Sequence, residues 1–96
     1  MFKLLFTPEA GEVLDDLEAS GPEVKLRKVR RAMAKLETDP RHPGLRSHKY
    51  VSVPGPNDAP LWESYVENQA PSAWRIWWAY GPENGQITVV TIGPHP

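Results

Sequence analysis

The chain contains no cysteine, so no disulfide can staple its core and no thiolate can act as nucleophile or metal ligand. It also lacks long apolar runs. No stretch approaches the roughly 20 residues that a membrane span needs. The opening run from Phe2 to Phe6 is too short for a signal-peptide core and has no small-residue cleavage site behind it. A soluble cytoplasmic protein, with no membrane association, is expected. Glycines stand singly, and none opens a helix as part of a phosphate-cradling loop. A serine-hydrolase elbow is absent too. The three histidines, His42, His48 and His95, do not show the paired spacing of a metal site, so neither metal nor cofactor is expected.

What is present describes one globular domain spanning residues 1–96. Its length of 96 residues suits a single small core, and its apolar and charged content is ordinary for a folded chain. Eleven prolines cut it into short elements. The net charge of -1 conceals a strong asymmetry. Between Glu23 and Lys49 lie nine of the eleven Lys and Arg residues and three acids, a net of +6. The preceding segment carries −4 and the following one −3. A basic segment on a near-neutral chain attracts polyanions locally. A solvated helix face has the same composition, and charge alone does not separate the two.

Phe2 to Phe6 reads as an opening strand. Thr7-Pro8-Glu9 then supplies a hydroxyl N-cap, a proline suited to the first helical turn and an acid at the positive end of the dipole. Ala10, Val13, Leu14 and Leu17 form one apolar stripe. Ser20-Gly21-Pro22 breaks the helix and restarts it, with Pro22 suited to a first helical position. A second stripe follows at Leu26, Val29, Met33 and Leu36, and Asp39-Pro40 ends it. Residues 41–60 are mostly loop, with a short strand expected at 49–53. Two alternating stretches follow, Leu61 to Asn68 and Ala73 to Tyr80. A turn at Gly81 to Gly85 leads to a last strand, Gln86 to Ile92. The expected fold is α+β: an N-terminal strand and a helical hairpin packed on one face of a mainly antiparallel sheet of about four strands. Trp62 and Val66 point into the core in this reading. Glu63, Tyr65, Glu67, Arg75 and Trp77 occupy the opposite face.

Cleavage of RNA at a 2′-OH needs a base for that hydroxyl, a cation for the phosphorane-like transition state and an acid for the leaving 5′ oxygen. His48, Glu63, Glu67 and His95 are candidate acids and bases. Arg75, Arg46 and Lys49 are candidate cations, and Tyr65, Trp77 and Trp62 could stack against exposed bases. A structural reading of the same residues stands beside this one. Glu63 and Glu67 could be solvated, Arg75 could pair with one of them, and Trp62, Trp74 and Trp78 could belong to the core.

Several motifs, in order along nearly the whole chain, resemble the RelE/ParE superfamily of toxins of toxin–antitoxin systems, including the HigB-type toxins. These are the opening strand and helical hairpin, Asp39-Pro40-Arg41, Gly44-Leu45, Ser47-His48-Lys49-Tyr50, Trp74-Arg75-Ile76-Trp77-Trp78 and Val90-Thr91-Ile92-Gly93-Pro94-His95. The resemblance implies a RelE-like fold and, by its ribosome-dependent members, a metal-independent mRNA endoribonuclease that inhibits translation. It implies catalytic roles for Arg75 and His95 and a catalytic or RNA-binding role for His48 and Lys49. Joined with the reading of the residues themselves, the candidate catalytic set is His95, Arg75, His48 and Glu67, and the candidate substrate-binding set is Lys49, Arg46, Tyr65, Glu63 and Trp77. Within this set Arg75 matches a phosphate-contacting arginine and His95 a residue acting on the scissile phosphate. Glu63, Tyr65 and Glu67 fall where strongly basic members carry lysine and arginine, and no helix follows the last strand.

The partners implied by the resemblance are a cognate antitoxin protein and the ribosome with its mRNA. The chain is then a monomer alone or a hetero-oligomer with its antitoxin. The basic second helix suits an acidic antitoxin segment or ribosomal RNA. Two other activities are compatible with the same likeness: a ParE-like, non-enzymatic inhibitor of DNA gyrase, and a member that binds RNA or protein without cleaving.

Overall fold

Thr7 carries out two tasks at the start of the first helix. Its hydroxyl oxygen accepts a hydrogen bond from the Ala10 amide at 3.2 Å, which caps the helix, and donates to the Val90 carbonyl at 2.6 Å. The computed structural model describes residues 1–68 and 71–95. Helix α1 spans Pro8–Ser20 and helix α2 spans Glu23–Thr38. Between them Gly21 lies so close to Leu17 that a Cβ there would meet the Leu17 backbone at 2.7 Å, so only glycine fits the turn. Pro22 is the N-cap of α2 rather than its first helical residue.

Five strands form one sheet: β1 Lys3–Phe6, β2 His48–Lys49, β3 Trp62–Tyr65, β4 Trp74–Tyr80 and β5 Gln86–Pro94, in the order β1-β5-β4-β3-β2. The β1–β5 pairing is parallel and the other three are antiparallel. Helix α1 packs across β1 and β5. The buried core joins Ala10 and Leu17 of α1, Val29, Ala32 and Leu36 of α2, Ile76 and Trp78 of β4, and Ile87, Val89 and Ile92 of β5. Trp62 and Val66 pack against it, as their alternation predicts.

Three expected strand boundaries are corrected. The short strand expected at 49–53 is instead His48–Lys49, after which the chain leaves the sheet. The stretch expected to run from Leu61 to Asn68 is a strand only over Trp62–Tyr65. Beyond it the Val66 and Glu67 amides both donate to the Trp74 carbonyl, at 3.1 and 3.2 Å, so alternation fails and Glu67 turns toward the helices. Finally, β5 runs two residues past Ile92 and is not regular.

That irregularity positions the C-terminus. Trp77 pairs with Thr91 while its neighbour Trp78 pairs with Val89, which leaves Val90 as the extra residue of a β-bulge. Ile87 and Val89 face the core before the bulge and Ile92 faces it afterwards. The odd-numbered residues Thr91, Gly93 and His95 are thereby shifted to the open face. The pairing continues to His95, whose amide donates to the Ala73 carbonyl at 2.9 Å.

Candidate functional site

Residues directly opposite in a sheet share a face. The register aligns His48 with Glu63, Glu63 with Trp77 and Trp77 with Thr91. The next row aligns Tyr65 with Arg75 and Arg75 with Gly93. All of them lie on the face opposite the helices, where the bulge adds His95.

Glu63 is the centre of this face. It is 2% exposed, which corrects the reading of a solvated strand residue. Its Oε1 lies 2.8 Å from His48 Nε2. Its Oε2 lies 3.3 Å from His95 Nε2 and 3.9 Å from Arg75 Nε. The longer separation is an ion-pair contact rather than a hydrogen bond. A buried carboxylate is tolerated only with such compensation, and here three nitrogen-bearing side chains provide it. The other nitrogen of His48, Nδ1, is 3.0 Å from the Arg46 carbonyl. Both atoms facing this ring, the Glu63 carboxylate oxygen and the Arg46 carbonyl, are hydrogen-bond acceptors. The side chains of His48 and His95 are about half exposed, at 50% and 45%.

Arg75 is fixed on three sides. Its guanidinium donates to the Glu67 carbonyl at 2.6 Å and to the Trp74 carbonyl at 3.1 Å, and it stacks on the Tyr65 ring at 3.7 Å. The Tyr65 ring also meets His48 edge-on at 6.3 Å and lies 5.6 Å from the exposed Arg46 guanidinium. Trp77 is 7% exposed and packs edge-on against Tyr50, so it forms the floor of the face rather than an open stacking surface.

Of the sequence-predicted residues, the fold therefore brings together His48, Glu63, Tyr65, Arg75 and His95, with Arg46 at the rim. Two lie elsewhere. Lys49 alternates to the other face and sits over Trp62 at 5.8 Å. Glu67 forms ion pairs with Lys25 at 2.7 Å and Lys28 at 3.4 Å on α2, and its carboxylate accepts from the Trp74 amide at 3.0 Å. The Lys25 hydrogen bond, with the Trp74 amide and Lys28 adding to it, holds the Glu67 carboxyl below its ordinary value against the opposing effect of burial. Glu67 thus joins helix to sheet and is not a neighbour of the histidines. The sequence reading missed the centrality of Glu63, because its contact with His48 is set across strands.

Among the described residues no group of three or more His, Asp or Glu side chains is arranged to hold a metal ion. No described helix is long and apolar enough to cross a membrane.

No protein-family model matches the chain, and no curated protein sequence matches it. Solved structures do. A YoeB/ParE toxin from Agrobacterium tumefaciens superposes with a TM-score of 0.70 at 10% identity, covering 99% of this chain and 100% of that one. This chain has the RelE/ParE toxin fold. The archaeal RelE of the RelE–RelB complex from Pyrococcus horikoshii gives 0.65 at 16% identity over 97% and 93% of the two chains. The intact RelBE toxin–antitoxin complex of E. coli gives 0.66 at 14% identity over 100% and 99%. The RelE-like architecture accounts for the described residues: two helices on one face of a five-stranded mixed sheet, with the cluster around Glu63 on the other.

Proposed function

We propose that this protein is the toxin of a toxin–antitoxin pair and cleaves mRNA on the ribosome in the cytoplasm. The observation that carries the proposal is the Glu63 cluster. It places two half-exposed imidazoles and one arginine around a single buried carboxylate.

In the proposed reaction the RNA 2′ oxygen attacks the adjacent phosphorus. The new O2′–P bond replaces the P–O5′ bond, giving a 2′,3′-cyclic phosphate and a 5′-hydroxyl. One imidazole accepts the 2′-OH proton and the other supplies a proton to the leaving 5′ oxygen. His95 is assigned the base role and His48 the acid role, in which its Nδ1–H leaves the Arg46 carbonyl for the leaving 5′ oxygen while Nε2 stays on Glu63. Arg75 neutralises the charge that develops on the phosphorane oxygens. Glu63 acts as a positioning residue for both rings. Tyr65 holds Arg75 in place and Arg46 binds a flanking phosphate. Glu67 and Lys49 take no part in the chemistry on this reading. The cognate antitoxin is the expected partner, as in the RelE–RelB and YoeB–YefM complexes whose toxins share the fold.

The deciding experiment maps transcript 5′ ends in bacteria after a brief induction of the protein alone, with His95→Ala in parallel. New in-frame mRNA ends that disappear in the variant are expected. Growth arrest without new ends, accompanied by a DNA-damage response, would replace this reading with gyrase inhibition.

A further inference from the structure

The Glu63 cluster can act on one phosphate, but it offers little to hold the rest of a polyanion. The largest reserve of positive charge is on α2, and its placement is informative. Lys28, Arg31 and Lys35 recur at spacings of three and four residues and so share one helix face. That face forms one wall of a cleft of about 250 Å³, with Ala32 and Val66 among its floor residues and Gly44 and Tyr65 on the far side. Glu67 occupies one end of the cleft and is committed to Lys25 and Lys28. Arg31 and Lys35 have no carboxylate within ion-pair distance among the described residues. Two cations therefore line the cleft with no carboxylate in ion-pair contact among the described residues.

The cleft is continuous with the candidate site through Tyr65. This one ring lines the cleft, carries Arg75 at 3.7 Å and lies 5.6 Å from Arg46. Arg46 holds a left-handed backbone conformation, φ 48°, at the end of the short 3-10 turn Pro43–Leu45, and its side chain is exposed at the rim. Arg75 and Arg46 thus both lie against the Tyr65 ring, and Tyr65 also borders the cleft that Arg31 and Lys35 line.

We infer that the cleft between α2 and the end of β3 is a second anion subsite, in which Arg31 and Lys35 bind the phosphodiester backbone of single-stranded RNA flanking the scissile phosphate. This inference rests on the proposed ribonuclease reading for the identity of the strand. Continuity with the Glu63 cluster favours an RNA strand over an acidic protein segment, since a polynucleotide that reaches Arg75 must continue in one direction or the other. Lysine and arginine without a base-reading pocket bind such a strand through its phosphates and independently of sequence.

The test measures binding of the full chain to a fluorescent, fully 2′-O-methylated RNA oligonucleotide, which cannot be cleaved, as a function of salt. Three proteins are compared: wild type, Arg31→Gln/Lys35→Gln, and a control with the same loss of charge elsewhere, Lys3→Gln/Arg30→Gln. Each single-strand phosphate contact contributes about 0.7 to the slope of log affinity against log salt. The cleft variant is expected to lower the slope by about 1.4 and to weaken binding, while the control retains the wild-type slope. Wild-type binding by the cleft variant, equal losses in both variants, or no RNA binding by wild type would each overturn the subsite. So would unchanged RNA binding with loss of antitoxin binding, which would assign the cleft to the protein partner. Failure of the ribonuclease reading has a different signature: the cleft variant loses RNA affinity, yet wild type produces no new transcript ends.

Discussion

The Thr7 hydroxyl donates a 2.6 Å hydrogen bond to the carbonyl of Val90, the extra residue of the β5 bulge. The same oxygen caps α1 by accepting from the Ala10 amide. One side chain thus couples the first helix to the irregularity that directs His95 to the open face. Replacing it with alanine removes the cap and leaves a partly buried carbonyl without its donor. Thr7→Ala is expected to cost about 2 kcal/mol and to reduce RNA cleavage further than the stability loss explains, whereas Thr7→Ser retains both. Chemical denaturation and transcript-end mapping of the two variants check this.

Glu63→Gln keeps the size of the side chain but removes the charge that orients His48 and His95. Cleavage is expected to fall on the order of 100-fold or more, within the range that general acid–base groups contribute. The far-ultraviolet circular dichroism spectrum is expected to stay that of the wild type. Wild-type cleavage in this variant would sink the assignment of Glu63 as the positioning residue.

Glu67 predicts a pH dependence. Lys25 holds its carboxyl below the ordinary carboxylate value, so the folded state binds this proton less readily than the unfolded chain. Its contribution to stability is present above that ordinary value and is lost as the pH falls through the depressed folded value. Glu67→Gln should therefore have a lower melting temperature than wild type near neutral pH, and the difference should shrink as the pH falls through the depressed folded value. A difference that persists or grows in acid would show that Glu67 acts through something other than its charge.

Ser64 is fully buried. Its hydroxyl accepts from Trp78 Nε1 at 2.8 Å and shares a 2.7 Å hydrogen bond with Ser47. Ser64→Ala leaves the indole N–H of the core unsatisfied, at an expected cost of about 2 kcal/mol. In a Trp78→Phe background the same change should cost measurably less, because the donor is already gone. Denaturant melts of the four proteins in the cycle measure the coupling.

The helical half was legible because its determinants are local. The apolar stripes of α1 and α2, the Thr7 cap and the Asp39-Pro40 stop act within a few residues of themselves, and the helices form where they predict. The α+β class followed from the change to alternating β-branched and aromatic residues after Leu61. Arg75 and Tyr65 were readable as open-face residues for the same reason, since alternation with period two fixes a face.

Alternation failed where pairing with another segment interrupts it. Glu63 and Glu67 look equivalent along the chain, yet Glu63 is drawn into the sheet beside His48, and Glu67 turns to Lys25 where β3 ends. His95 reaches the cluster only because Val90 is left unpaired against β4 and its carbonyl finds Thr7, at a sequence separation of 83 residues. By itself, then, the sequence determined which residues could do chemistry and which elements would carry them. The tertiary structure decided which of them meet, because cross-strand register and a bulge depend on hydrogen bonds to distant backbone that no local pattern encodes.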